Sequence, residues 1–332
     1  MDIDSVRSLK KEAIQDVVEP LRMGDIARRS LGVRARRLNG PAYPRTIALG
    51  IGKGEASGDF RLAVRVQHPL LLKGPEVERI QKLADGDVDI RYVGAIRTLQ
   101  VPWYQDRCRP LRIGCSIGHF DVTAGTLGAF VRDATNGTSL VLSNNHVLAD
   151  ENRANQGENI LQPGKYDNGA DPADAVATLT RFIAIDFQKT NYVDCAVAEL
   201  IAGVQFDYQS LDSFGSLSGE RTAQLAGNEA VRKIGRTTGL TVGTISAIEV
   251  DNVAVGYDQG TAYFDSQIEI ASTGPGPFSD GGDSGSLIID ENNEALGLLF
   301  AGSDQGGPNG LGLTYANPIE AVMSNLNTSL LY

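Results

Sequence analysis

Ser284 lies in the glycine-rich stretch "FSDGGDSGSL", where its hydroxyl group has the setting of a nucleophile. Glycines flank the serine on both sides, and Asp283 comes directly before it. A serine hydroxyl is a weak nucleophile until a positioned base removes its proton. Nucleophilic catalysis by this stretch therefore requires a base, most often a histidine, from elsewhere in the chain.

The chain contains three histidines, and their sequence contexts differ. His68 precedes a proline, which indicates a turn, and His119 lies in the glycine-rich stretch "CSIGHFDVTAG", where we expect a structural role. His146 follows the apolar strand pattern of "LVLSNNHVLA". Catalytic side chains are commonly presented at the ends of rigid elements. We therefore predict that His146 is the base that activates Ser284.

A histidine that acts as a base needs a carboxylate to orient its ring. Asp194 in "NYVDCAVAEL" stands immediately before an apolar strand, as a buried, inward-directed carboxylate would, and Asp186 in "IAIDFQ" is the alternative. In this arrangement His146 takes the proton of Ser284 and later protonates a leaving amine, while Asp194 holds the imidazole tautomer. The order of the three residues along the chain is His, Asp, Ser.

Short β-like runs separated by turn signals recur from Arg109 to Leu326, with little helical periodicity. Such a pattern over roughly 200 residues predicts two β-sheets or barrels in series. The segment "PIEAVMSNL" predicts a final helix that begins at Pro318. We therefore predict a mainly β domain over residues 101–332, and this domain holds all three candidate catalytic residues.

Residues 1–100 show two different patterns. Apolar residues at helical spacing predict an amphipathic helix over 3–21, which an Arg-rich segment at 22–37 follows, and we assign residues 1–45 to this helix and linker. Residues 46–100 alternate strand, turn, strand, helix and strand patterns, which predicts a small α+β domain. The helix must bury its apolar stripe on its own body or on another subunit. Both remain open, and we favour a homo-oligomer formed through the helix or the small domain.

The composition disfavours several classes of function. Lys and Arg number 30 against 41 Asp and Glu, a net charge of −11 that would repel phosphate backbones, so we expect no nucleic-acid binding. We find no pattern of a signal peptide or of a membrane span, and we predict a cytoplasmic protein that does not contact a membrane. The three cysteines are expected to be reduced. No Cys/His cluster indicates a metal site, and no cofactor is expected.

Three segments, "SNNHVLA", "VDCAVAEL" and "GGDSGSLI", resemble the catalytic blocks of the trypsin/chymotrypsin-like serine peptidases in their order and spacing. A fourth, "KIGRTTGLTVGTISAI", resembles a strand pair in the second barrel of the bacterial branch of that superfamily. The resemblance covers roughly residues 110–325 and implies a trypsin-like double β-barrel. More narrowly, "GTLGAFVRD", "SNNHVLA", "ILQPG" and "LLFAGS" behind a small N-terminal domain resemble the plant Narrow-leaf-type proteases and their bacterial relatives.

The resemblance implies further roles around the nucleophile. The backbone N–H groups of Gly282 and Ser284 would form an oxyanion hole, and a glycine allows the peptide to turn its N–H toward the developing charge. Asp283 would be buried and would need a cation, which the bacterial branch supplies from the "GRTTG" block. We therefore expect an ion pair between Asp283 and Arg236, and an enzyme that forms without zymogen cleavage.

The resemblance also implies where substrate binds. Phe278, six residues before the nucleophile, takes the position that forms the base of the primary specificity pocket in many relatives, where an acid would select a basic residue. The strand expected to pair with substrate holds Leu299, Phe300, Ala301 and Gly302. These residues predict a preference for an uncharged, apolar residue before the scissile bond.

These observations together favour an enzyme over a protein that only binds partners. They predict a serine endopeptidase that hydrolyses protein or peptide substrates through an acyl-enzyme intermediate. The alternative is a catalytically silent or effector-gated scaffold that serves as an interaction module. All three triad residues and the oxyanion glycine are present in the sequence, which favours the enzyme.

Overall fold

The computed structural model describes residues 1–332 except 24–45, 55, 57, 95 and 97–100. The chain divides into two units, residues 1–100 and residues 101–332. From residue 24 onward, the predicted Arg-rich segment lies outside the described residues.

The described part of the first unit combines helices with a three-stranded sheet. Its helices include α1 (Ile3–Ala13), which continues into a π-helical turn (Ile14–Val18), and α2 (Pro75–Leu83). Its strands are β1 (Ile47–Lys53), β2 (Phe60–Val66) and β3 (Val88–Tyr92). β1 and β2 are antiparallel, whereas β2 and β3 are parallel.

The apolar stripe of α1 packs within its own unit. The helix begins at Asp2, whose carboxylate caps the first turn. Val6 and Ala13 are fully buried in the same core as Leu62 and Val64 of β2. The first unit therefore covers the amphipathic face itself.

The second unit consists mainly of strands. In chain order they are β4 (Leu111–Arg112), β5 (Ser116–His119), β6 (Gly125–Thr126), β7 (Ala129–Asp133), β8 (Ser139–Ser143), β9 (Asn159–Leu161), β10 (Ala175–Phe182), β11 (Thr190–Asn191), β12 (Ala196–Leu200), β13 (Phe206–Asp207), β14 (Gly219–Glu220), β15 (Ala230–Gly235), β16 (Gly239–Val250), β17 (Val253–Tyr257), β18 (Gly260–Phe264), β19 (Gln267–Ser272), β20 (Leu287–Asp290), β21 (Glu294–Gly302), β22 (Leu313–Pro318) and β23 (Thr328–Leu330). Its helices include the one-turn α3 (Asn145–Leu148) and α4 (Ile319–Leu326).

Most of these strands assemble into two sheets. The first has the order β23-β7-β8-β12-β10-β9-β5-β6, and the second has the order β14-β21-β20-β15-β16-β19-β22. In the second sheet β21 also pairs with β22. The six strands β21, β20, β15, β16, β19 and β22 therefore close into a barrel. The predicted mainly β fold class, with a small α+β unit and an N-terminal helix, is confirmed, and its two main sheets form a closed six-stranded barrel and a half-barrel.

Each sheet has its own apolar core. Leu142 and Val197, from the paired strands β8 and β12, are fully buried in the first core, and Ile245 and Ile270 are fully buried in the second. Helix α4 leaves the second barrel and buries Leu326 in the first core. Its last residues lead directly into β23, which pairs with β7 of the first sheet.

A β-hairpin interrupts the second barrel between two neighbouring strands. After β16 the chain forms β17 and β18 before it re-enters the barrel as β19. β18 pairs in parallel with the short strand β11, which lies just before Asp194 in the chain. The hairpin therefore lies beside the predicted carboxylate of the triad.

Candidate active site

Two antiparallel strands of the first sheet carry the predicted histidine and carboxylate. β8 ends at Ser143 and leads into α3, which contains His146, and β12 begins two residues after Asp194. Because Ser143 is paired with Ala196 of β12, the two candidate residues meet at one end of this strand pair. His146 Nδ1 lies 2.6 Å from Asp194 Oδ2.

The Asp194 carboxylate is fully buried and is held by several donors. Its Oδ1 accepts hydrogen bonds from the backbone amides of Asn145, at 2.7 Å, and His146, at 3.3 Å. Its Oδ2 accepts a second bond from the hydroxyl of Tyr257, at 2.9 Å. The backbone amide of Asp194 donates to the Asn317 side chain at 2.9 Å. The bonds to Oδ1 and Oδ2 compensate the burial of the charge and fix the orientation of the carboxylate, and the bond to Asn317 holds the backbone of Asp194.

The other candidates have different partners. The carboxylate of Asp186 accepts the amides of Gln188 and Lys189, at 2.8 and 3.0 Å, and so caps its own turn. His119 is buried, and its Nε2 lies 3.1 Å from Glu158 Oε2. Asp194 is therefore the carboxylate that contacts His146.

The surroundings of His146 act on the pKa of its imidazole in opposite directions. Burial of the ring is the largest influence and favours the neutral form. The charge of Asp194, the hydrogen bond between Asp194 and His146, and the charge of Glu151 favour the protonated form. Their combined effect is larger than the effect of burial. The pKa of His146 is therefore raised above its ordinary value of about 6.5.

Ser284 lies on a tight turn that packs against the segment carrying His146. The turn contains Gly282 and Gly285, with φ of +94° and +91°, a conformation that side chains disfavour. A Cβ atom on Gly285 would also overlap the hydroxyl of Ser143. Because Ser143 is the last residue of β8, this close approach places the turn of residues 282–285, the predicted nucleophile turn, next to the start of α3.

The backbone amides of Gly282 and Ser284 donate to no other group in the described part of the chain. The carbonyl of Gly281 accepts the hydroxyl of Thr237 at 2.6 Å, and the carbonyl of Gly282 accepts the hydroxyl of Thr126 at 3.0 Å. In a trans peptide the N–H points opposite to the preceding C=O, so the bond to Gly281 directs the Gly282 amide away from Thr237. Two such amides can stabilise negative charge on a carbonyl oxygen.

The cation that contacts Asp283 is Lys233, and the expected ion pair with Arg236 is wrong. Lys233 and Asp283 are both 0% exposed, and Lys233 Nζ lies 3.2 Å from Asp283 Oδ2. Asp283 also accepts the backbone amides of Thr237, at 2.8 Å, and Thr238, at 3.1 Å. Burial lowers the pKa of Lys233, and the Asp283 carboxylate offsets part of that effect.

Arg236 forms its ion pair with Asp167, whose Oδ2 lies 2.7 Å from Arg236 Nε. The hydrogen bond to Asp167 is the main reason that the pKa of Arg236 is raised. Arg236 Nη1 also donates to the Thr237 hydroxyl at 3.1 Å, and that hydroxyl holds the carbonyl of Gly281. Arg236 thus supports the nucleophile turn through Thr237 and not through Asp283.

The strand pattern contains a signal for Lys233. Residues 231, 233 and 235 of β15 share one face because strand side chains alternate. Val231 on this face is buried, and a Cβ atom added to Gly235 would lie only 2.4 Å from Asp283 Oδ1, so this face is directed at Asp283. A lysine that faces inward on an apolar strand needs a buried anion.

A cleft of about 660 Å³ lies beside His146. The residues lining it include Tyr257, Phe300, Ala301 and Gly302. Of these, Phe300 is only 3% exposed, while Leu299 and Phe278 are each 2% exposed and lie in the core of the second barrel. The Phe278 ring lies there 5.8 Å from the ammonium group of Lys233. The expectation that Phe278 faces substrate is therefore corrected, because its ring fills the barrel interior.

Two kinds of feature are missing from the residues that the structure describes. Among them, no group of three or more His, Cys, Asp or Glu side chains is placed to hold a metal ion. Likewise, no helix among them has the length and apolar character needed to cross a membrane. Cys108, Cys115 and Cys195 are buried and form no disulfide.

Comparison with known proteins finds similar solved structures, although no family model and no curated protein matches the chain. Thermobifida fusca Protease A is 17% identical, and the match covers 68% of this chain and 99% of that chain with a TM-score of 0.46. A Nocardiopsis protease is 19% identical, with 68% of this chain and 100% of that chain covered and a TM-score of 0.47. A Cellulomonas bogoriensis chymotrypsin is 21% identical, with 68% of this chain and 99% of that chain covered and a TM-score of 0.46. These neighbours are trypsin/chymotrypsin-like serine proteases.

Proposed function

We propose that this chain is a serine endopeptidase with the triad His146, Asp194 and Ser284. The observation that carries the proposal is the 2.6 Å contact between His146 Nδ1 and the buried Asp194 carboxylate, beside a serine turn in which the amides of Gly282 and Ser284 donate to no group among the described residues. A histidine paired in this way serves as a general base toward a serine hydroxyl. Proteins or peptides are the proposed substrates, and the narrower resemblance to Narrow-leaf-type proteases stays a prediction.

Each residue of the proposed triad has its own role in peptide hydrolysis. His146 Nε2 takes the proton of Ser284 as its Oγ attacks the peptide carbonyl, and the imidazolium then protonates the leaving amine. The amides of Gly282 and Ser284 stabilise the oxyanion. Water then attacks the acyl-enzyme with the same imidazole as base, which releases the acid product. Asp194 stabilises the imidazolium in both halves of the reaction.

The proposed enzyme needs no cleaved N-terminus. Asp283, next to the nucleophile, has the ammonium group of Lys233 from its own barrel at 3.2 Å. A buried carboxylate with an internal counter-charge can hold the nucleophile turn in its active conformation from the time the barrel folds. This contact supports an enzyme that is competent without zymogen processing.

We expect a fluorophosphonate probe to label the wild-type protein on Ser284, at a rate that falls as the pH decreases through the pKa of His146. Only the neutral imidazole can accept the serine proton, and the raised pKa places this loss above about pH 6.5. The His146→Ala variant should label about 10²–10⁴-fold more slowly. Labelling rates across a pH series, with peptide mapping of the modified serine, measure both effects.

His68→Ala is the matched control, since it removes a histidine from the first unit and should leave the labelling rate unchanged. Circular dichroism would verify that both variants fold. Labelling of His146→Ala at the wild-type rate would overturn the proposed triad. A folded wild-type protein that neither labels nor hydrolyses peptides would instead support the silent interaction module.

We also propose that the residue before the scissile bond is uncharged and apolar. Phe300 and Ala301 of the strand expected to pair with substrate line the cleft beside His146. In a panel of peptides that differ at this one position, we expect Leu or Ala to give kcat/KM at least about 10-fold above Lys or Arg. A preference for Lys or Arg would refute this specificity and leave the triad untouched.

A further inference from the structure

We propose that Tyr257 is a positioning residue of the active site, which the β17–β18 hairpin brings to the Asp194 carboxylate. The proposal rests on the proposed peptidase function. The Tyr257 hydroxyl donates to Asp194 Oδ2 at 2.9 Å, and His146 Nδ1 contacts the same oxygen at 2.6 Å. The carboxylate oxygen that orients the imidazole is thus shared between two donors.

The ring of Tyr257 is held in place from several sides. Its centroid lies 6.0 Å from the imidazole of His146 in an edge-on arrangement, and Phe187 and Phe264 flank it at 6.1 and 6.3 Å. Aromatic contacts of this kind restrict a ring to one orientation. The hydroxyl therefore reaches Asp194 from a fixed position.

The hairpin that carries Tyr257 is attached near both partners of the triad. On one side, β18 pairs with β11, and the Asn191 side chain, three residues before Asp194, donates to the carbonyl of Tyr263 at 3.2 Å. At the hairpin tip, the amide of Asp258 donates to Glu151 Oε1 at 3.1 Å, just beyond α3. The hairpin thus links the segment of the carboxylate to the segment of the histidine.

The shared oxygen gives Tyr257 two effects on the triad. Its hydrogen bond prevents rotation of the carboxylate, which keeps Oδ2 directed at the imidazole. It also withdraws part of the negative charge that stabilises the imidazolium. Burial and the charge of Asp194 raise the pKa of Tyr257, so its hydroxyl stays protonated and donates. The charged groups that act on His146 are Asp194 and, from the segment after α3, Glu151.

Tyr257→Phe tests the proposal, because it removes the hydroxyl and keeps the ring. We expect kcat to fall about 10-fold and KM to stay within about twofold, since one hydrogen bond to a charged group is lost. The pKa of the His146 imidazole, measured by NMR and from the acid limb of kcat/KM, should rise by about half a unit because Asp194 regains charge. Peptide hydrolysis and the NMR titration are both measured on the full chain.

Tyr263→Phe is the matched control, since Tyr263 lies on the same hairpin with 45% of its surface exposed. It should leave kcat and the His146 pKa unchanged. A Tyr257→Phe variant with wild-type kcat and an unshifted pKa would overturn the proposal, as would a loss of kcat that only follows a lower melting temperature. If the wild type itself were inactive, the proposed function would fail, and the NMR titration would still decide whether Tyr257 acts on His146.

Discussion

Replacement of Ser284 by alanine is expected to lower kcat by a factor on the order of 10⁶. On the proposed mechanism the variant loses the atom that forms the acyl-enzyme, and neither His146 nor Asp194 can contribute to the reaction without it. Since Ser284 lies at a turn and its side chain is only partly buried, the fold should be retained. Peptide hydrolysis with purified protein measures the loss, and a thermal melt measures stability.

Ser324→Ala is a suitable control, because Ser324 is an exposed serine on α4. The Ser324→Ala variant should keep wild-type activity. This result would show that replacing a serine elsewhere in the chain does not lower peptide hydrolysis. A Ser284→Ala variant that hydrolysed peptides at more than about a hundredth of the wild-type rate would exclude this residue as the nucleophile. If the prediction holds, the inactive variant can retain bound substrates from a lysate, and those proteins can then be identified by mass spectrometry.

Replacement of Lys233 by methionine is expected to lower the free energy of unfolding by about 3–5 kcal/mol. The methionine fills a similar volume, but the Asp283 carboxylate remains buried without its counter-charge. The nucleophile turn should also lose its geometry, because Asp283 holds the amides of Thr237 and Thr238. Urea denaturation measures the stability, and the labelling rate of the fluorophosphonate probe reports on the turn.

The control variants for Lys233→Met test whether Lys233 or Arg236 is the cation that stabilises Asp283. Lys189→Met removes an exposed lysine and should change stability by less than about 0.5 kcal/mol. The double variant Lys233→Met/Asp283→Asn should recover part of the lost stability, because no unpaired charge remains. If Arg236→Met were the more destabilising change and Lys233→Met nearly neutral, the assignment of Lys233 as the partner of Asp283 would be refuted.

The fold class and the candidate triad were open to prediction from the sequence. Many short strands with turn signals predict barrels, and the catalytic residue types each stand beside a strand or a tight turn. With three histidines in the chain, the choice of base was narrow. The choice between Asp186 and Asp194 required the pairing of β8 with β12, because both aspartates are adjacent to apolar runs.

What the sequence left undetermined depends on contacts between distant strands. The motif pointed to Arg236 as the cation for Asp283, whereas the inward face of β15 carries Lys233. The role of Phe278 depended on whether its ring faced the cleft or the barrel interior, which the closure of the barrel decides. Tyr257 lies in a hairpin that meets Asp194 only through the pairing of β18 with β11. Sequence periodicity does not encode these distances.

The pairing of β23 with β7 has a consequence for the time at which activity arises. The edge strand of the first sheet is made after every strand of the second barrel, so a nascent chain cannot complete the histidine-bearing sheet early. Contacts between residues so far apart in the chain form late and slowly. On the proposed function, peptide-bond cleavage would begin only once β23 has joined the first sheet, after all strands of the second barrel have been synthesised.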